Sequence, residues 1–122
     1  MGEIRRLQLE HKAWMHYNFP DQDPIDGLLG MVEEIGELAH AVLKHKQNIR
    51  SIDVTTFREM QEDAVADTFI FMMSYCNSND IDLEDCILKT WAKVQQRDWQ
   101  VNPEDAHELN DAEAAAEEAT WD

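Results

Sequence analysis

Proline stands at positions 20, 24 and 103 of the 122-residue chain and nowhere else, so the long stretch between Pro24 and Pro103 lacks the residue that most firmly interrupts a helix. Glycine is nearly as scarce, with four in all. Within that stretch apolar residues recur every three or four positions, and no long run alternates apolar with polar in the manner of a half-buried strand. The pattern predicts an all-α fold.

Four main helices follow from the punctuation. The first runs from about Glu3 to Tyr17 with Ile4, Leu7, His11 and Trp14 or Met15 on one face, and "NFPDQDP" ends it. The second opens with Asp23 as N-cap and Pro24 at the first helical position, and reaches about Lys46. Its apolar stripe, the expected core face, is Ile25, Leu28, Leu29, Val32, Ile35, Ala39, Val42 and Leu43. After the loop "QNIRSIDV", the capping-box spacing of Thr56 and Glu59 opens a third helix that extends to about Cys76. "NSND" is turn chemistry, and Asp82 is placed to cap a fourth helix that carries Leu83, Ile87, Trp91 and Val94 on one face as far as about Trp99. These elements predict a four-helix bundle core over residues 1–100, followed by an acidic C-terminal extension over 101–122 in which a short helix from Pro103 would have a weak core face.

Charge removes several classes of function. With 26 acidic against 10 basic residues the chain carries a formal charge of −16, which opposes binding to the phosphates of a nucleic-acid polymer. Part of the excess lies in the C-terminal extension, which has no Lys or Arg and reads as a solvated tail. No apolar run approaches the roughly 20 residues that span a bilayer, and "MGEIRRLQLEHK" has no apolar core of a signal peptide. A cytoplasmic protein that does not bind membranes is the expectation. Cys76 and Cys86 lack CxxC spacing and read as packing residues in a reducing compartment.

The remaining acids fall into a pattern. In "EEIGE", Glu33 and Glu37 are related by i, i+4 and Glu34 and Glu37 by i, i+3, so like charges share a helix face. On the third helix, "DAVADTFIFMM" sets Asp63 and Asp67 one turn apart near a stripe of Met60, Ala64 and Phe71, where core is expected. An ionised carboxylate in an apolar setting raises its pKa or loses several kcal/mol of hydration unless a positive partner compensates. The acidic triplet by itself equally describes a solvated face, and an Arg or Lys partner would also settle a buried aspartate. A divalent cation resolves both clusters at once. All the candidate ligands are hard oxygens, which favours Mg²⁺, with Mn²⁺ also possible, over zinc or copper. Such a cation completes its shell with phosphate oxygens, and this points to a small phosphorylated ligand.

"EEIGELAHA", then "DAVADTFIFMM", "NDIDLEDCI" and "KVQQRDW" resemble the MazG-like all-α nucleoside triphosphate pyrophosphohydrolases, whose pattern is EExxE, a spacer and ExxD; the resemblance covers roughly residues 8 to 100. It implies Mg²⁺-dependent hydrolysis of a (deoxy)nucleoside triphosphate between the α and β phosphates, giving the monophosphate and pyrophosphate, in the service of the nucleotide pool of a bacterium or phage. By position, Glu34, Glu37 and Asp67 match the metal ligands and Glu33 the leading glutamate. The glutamate of ExxD would stand at 64, where this chain has Ala64, and Asp63 is the substitute ligand. Glu33 or Glu34 is the group that orients or deprotonates the attacking water. Lys44, Arg50, Lys93 and Arg97 are candidate phosphate contacts, while Trp14 and Asn18, with Phe19, are candidates for the base. The resemblance also implies a homodimer or homotetramer. Two other classes remain open: a di-iron carboxylate bundle, since Glu37–His40 and Glu104–His107 both have Glu-x-x-His spacing, and a non-catalytic acidic interaction protein.

Overall fold

In the computed structural model the described residues, 1–50 and 52–104, form four α-helices and no strand. They are α1 (Glu3–Asn18), α2 (Asp26–Gln47), α3 (Val54–Ser78) and α4 (Leu83–Val94). The all-α expectation is met. Two compact units follow one another, Met1–Glu84 and Asp85–Asp122. The segment from 105 onward, including any helix after Pro103, lies outside the described residues.

Helix boundaries moved where side chains offered the backbone a better local bond. Asp23 is not the cap of α2: its Oδ1 accepts from the Ile25 N–H at 3.0 Å, while its own N–H donates to Asp26 Oδ2 at 3.1 Å. That turn contains Pro24, and the helix starts at Asp26. Conversely, α3 begins earlier than the capping-box spacing suggested. Asp53 is its N-cap, with Oδ1 accepting from the Thr56 N–H and Oδ2 from the Thr56 hydroxyl, both at 2.8 Å. Those bonds hold the Asp53 carboxyl below the usual carboxylate range. The fourth helix stops at Val94 rather than Trp99, because Asp98 Oδ1 accepts from the N–H groups of Gln100 and Val101 and fixes a turn there.

In the first unit α3 packs against both α1 and α2. A small core of Met73, Cys76 and Leu83 is flanked by Ile4, Phe69, Met72 and Ile81. Gln8 locks α1 to it. Its buried amide donates to Asn77 Oδ1 at 3.0 Å and to the Ile81 carbonyl at 2.7 Å, and its oxygen accepts from the Leu83 N–H at 3.0 Å. A buried polar side chain with every strong bond made is a fixed strut.

The α2–α3 contact is built differently. A methyl group on Gly27 would sit 2.6 Å from the Tyr75 nitrogen and 2.9 Å from the Phe71 carbonyl oxygen, and one on Gly30 would enter the Phe71 ring. The start of α2 therefore meets the end of α3, and the two helices are antiparallel. Continuing that register brings Glu34 opposite Asp67. The α2 face turned toward α3 carries buried Gly27, Gly30 and Ala41 with half-buried Met31, Glu34 and Leu38. The apolar stripe read as core lies outside it. Leu29, Val32 and Ile35 are 57, 61 and 54% exposed, and Ile25, Leu28, Val42 and Leu43 are exposed as well. Small residues allowed α2 to approach α3 on its less apolar side.

Candidate functional site

Two features adjoin on α3, an acidic face and an aromatic cavity. The acidic face joins α2 to α3. Half-buried Glu34 has its pKa raised, first by loss of hydration and then by the negative charges of Glu37 and Asp67, a hydrogen bond with Glu37, and the charge of Glu33. Four carboxylates from two helices thus act on one another. Asp63 is not among the charges felt by Glu34. Ala64, where the pattern would have a glutamate, is buried, and its carbonyl accepts the Thr68 hydroxyl at 2.6 Å.

The expectation of aspartates sunk in core needs correction. Asp63 and Asp67 are both exposed, as is Val65 between them, because α3 is covered by α1 and α2 on only part of its circumference. The two aspartates therefore keep their water, whereas half-buried Glu34 loses part of its own.

The donor set fits a hard divalent cation. Every member is a carboxylate, and positive charge between α2 and α3 would offset both the lost hydration and the repulsion at Glu34. Among the described residues no group of three or more His, Cys, Asp or Glu side chains is placed to hold a metal ion by itself. Mg²⁺ does not require such a group, since it keeps several waters and takes only one or two carboxylates together with substrate oxygens.

A cavity of about 660 Å³ lies beside Asp67. Its walls come from α1 (His11, Trp14, Met15), from the α1–α2 connection (Phe19 to Gln22), from Asp26 at the start of α2, and from Asp67, Ile70, Phe71 and Ser74 of α3. Trp14 meets Phe19 edge-on with ring centroids 5.9 Å apart, and His11 tilts against Trp14 at 6.0 Å. Burial lowers the pKa of His11. The volume is that of a small-molecule pocket. Asp67 and Ser74 mark its extent along α3, about 10 Å by helical rise.

The expected substrate contacts divide. Trp14 and Phe19 line the cavity, but Asn18 turns back on its own helix and donates to the Trp14 carbonyl at 2.9 Å. Lys44 is half-buried in the last turn of α2, and Arg50 has a left-handed backbone (φ 53°) in the following connection. Both lie toward the end of α2 opposite the cavity, so aromatic wall, acidic face and basic end succeed one another along the helix pair. Lys93 and Arg97 belong to the second unit, Lys93 in the last turn of α4 and Arg97 in the turn after it. The second Glu-x-x-His copy extends to His107, outside the described residues. His11, Gln22, Phe71 and Ser74 were not among the sequence-derived site residues. The only available signal for Phe71 was its spacing from Asp67, and nothing in the sequence linked Gln22 to a residue 52 positions later.

The sequence profile of the MazG nucleotide pyrophosphohydrolase domain matches residues 22–102. No curated protein and no solved structure matches the chain. The matched span begins in the cavity wall, covers the acidic stretches of α2 and α3, and includes Lys93 and Arg97.

Proposed function

The chain belongs to the MazG nucleotide pyrophosphohydrolase family, and from that premise we propose that it hydrolyses a (deoxy)nucleoside triphosphate between the α and β phosphates, releasing the monophosphate and pyrophosphate. The observation that carries this reading is the pairing of Glu34 with Asp67 across α2 and α3, directly beside an aromatic cavity. The base stacks on Trp14 and Phe19. Glu34, Glu37 and Asp67 hold Mg²⁺ or Mn²⁺, with Asp63 one turn away as a further oxygen donor; when bound, the cation supplies charge neutralisation at the phosphates and acidifies a coordinated water. Glu33 or Glu34 orients the attacking water or takes its proton. Lys44 and Arg50, beyond the acidic face, neutralise charge on the leaving pyrophosphate. Such an enzyme adjusts or cleanses a cytoplasmic nucleotide pool. No described helix is long and apolar enough to cross a membrane.

The same chain is proposed to work as a homodimer or homotetramer. Leu28, Leu29, Val32, Ile35, Val42 and Leu43 are all exposed along α2, and an apolar helix face open to water is the kind of surface a partner covers. A second copy covers it. Val32→Glu is expected to lower the mass measured by light scattering; an unchanged mass places the subunit contact elsewhere.

Products distinguish the reaction. Incubation of the purified protein with Mg²⁺ and a panel of triphosphates is expected to yield monophosphate and pyrophosphate in equal amounts. Release of orthophosphate, or no turnover of any member, contradicts the proposal.

A further inference from the structure

The polar groups in the cavity wall are not equally committed. Gln22 and Ser74 satisfy each other, at 3.1 Å from Gln22 Nε2 to Ser74 Oγ and 3.3 Å from that hydroxyl to Gln22 Oε1. His11 is different. Its Nδ1 lies 3.4 Å from Asn77 Nδ2, whereas among the described residues no hydrogen bond engages its Nε2. His11 lines the cavity and Asn77 does not, so the bonded nitrogen is spent on the α1–α3 contact and the other is left for the cavity.

Backbone groups decide which of these nitrogens carries the proton. The Leu83 N–H can only donate, so it holds Gln8 Oε1 toward itself at 3.0 Å, and Gln8 Nε2 then donates to Asn77 Oδ1 at 3.0 Å. The Gln8 carbonyl can only accept, and Asn77 Nδ2 donates to it at 3.0 Å. Both bonds turn the Asn77 amide the same way, with its amino group toward the imidazole. A proton on Nδ1 would set one N–H against another. His11 is therefore the neutral tautomer with its proton on Nε2, in accord with the lowering of its pKa by burial. The free donor lies beside the Trp14 ring, whose centroid is 6.0 Å from that of the imidazole. From Asp67 to Asn77 the rise along α3 is about 15 Å, so this donor serves the end of the cavity away from the acidic face.

We propose that His11, set as a donor by Asn77, positions the ligand by bonding an acceptor atom on the end held away from the acids. On the nucleotide reading above, on which this rests, that atom is a carbonyl oxygen or an unprotonated ring nitrogen of the base. The tautomer is read from the ring-nitrogen NMR shifts of the unaltered protein above a pH of roughly 6.5, with the His11 signals assigned by their loss in His11→Phe. Nε2 is expected to be protonated and Nδ1 bare; the reverse, or a mixture of the two, overturns the proposal. His11→Phe keeps a ring beside Trp14 without the donor. It is expected to raise KM for the triphosphate turned over fastest by roughly 5- to 50-fold, with kcat changed less. Asn77→Asp offers the imidazole an acceptor, so the proton should move to Nδ1 and KM should rise as in His11→Phe. An unchanged KM in His11→Phe, or in Asn77→Asp with the tautomer reversed, overturns the proposal and leaves the hydrolase reading standing. Absence of turnover for every nucleotide in the unaltered protein overturns both. Should Asn77→Asp not fold, the tautomer of the unaltered protein and the KM of His11→Phe decide the matter.

Discussion

The two helix contacts made by α3 are opposites. Toward α1, a buried amide satisfies Asn77, Ile81 and Leu83 at once, and the junction is closed by apolar core. Toward α2, the backbones meet through glycine, and the half-buried position two turns beyond Gly27 is occupied by Glu34, facing another carboxylate. The first contact contributes stability. The second sets like charges together, which costs stability. On the proposed function, one side of α3 gives support and the other carries the chemistry.

Substitution on the chemical side has the largest effect. Asp67→Asn and Glu34→Gln are each expected to lower kcat by at least about 100-fold, with the far-UV circular dichroism of the helices unchanged. Because Glu34→Gln also removes repulsion, its Tm without metal should equal or exceed that of the unaltered protein. A drop in Tm parallel to the drop in activity would mean that Glu34 is a structural group and would erase the contrast.

Next come the supports. Gln8→Ala leaves a buried donor and two acceptors without their partner, which costs roughly 2–3 kcal/mol, measured by urea unfolding. Gly27→Ala forces a methyl into the Tyr75 backbone and is expected to cost about 1–3 kcal/mol. The two differ in their effect on turnover. Gln8→Ala should leave KM unaltered below its unfolding transition, whereas Gly27→Ala shifts α2 against α3 and lowers kcat. Equal kinetic effects would show that the two sides of α3 are not functionally distinct.

The helices themselves were legible in the sequence, because proline, turn residues and apolar spacing are local signals. Spacing also grouped the acids within α2 and within α3, while the family resemblance was what set the two groups in one site. Their surroundings were not legible. The stripe from Ile25 to Leu43 has the period of a core face, but hydrophobicity does not say which chain covers it, and here α2 turned its glycines inward instead. Likewise, Asp67 looked buried because its sequence neighbours are apolar, although α3 has an uncovered side. Caps shifted because Asp23, Asp53 and Asp98 each accept from a backbone N–H two or three residues further along the chain. The cavity was least visible. Its walls come from three helices and a connection, and the Gln22–Ser74 contact depends wholly on tertiary placement.

The smallest expected effect is one of pH. Burial depresses the pKa of His11, so the unfolded chain binds a proton there more readily than the folded one. The resulting stability is fully present above the unfolded value, roughly 6.5, and is lost as pH falls through that value to the lower folded one. Relative to His11→Gln, the unaltered protein should show a modest fall in Tm on acidification across this window. A parallel response of the two proteins would place His11 in water and the α1 wall of the cavity in doubt.

The central claim is that Glu34 and Asp67 grip a divalent cation together with a triphosphate. It is tested most directly by electron paramagnetic resonance of Mn²⁺ in the presence of an α,β-imido deoxynucleoside triphosphate, which is not cleaved at that bond. The unaltered protein is predicted to bind Mn²⁺ only with the nucleotide or more tightly with it, and Asp67→Asn and Glu34→Gln to lose that binding. Equal Mn²⁺ uptake by all three proteins would contradict it.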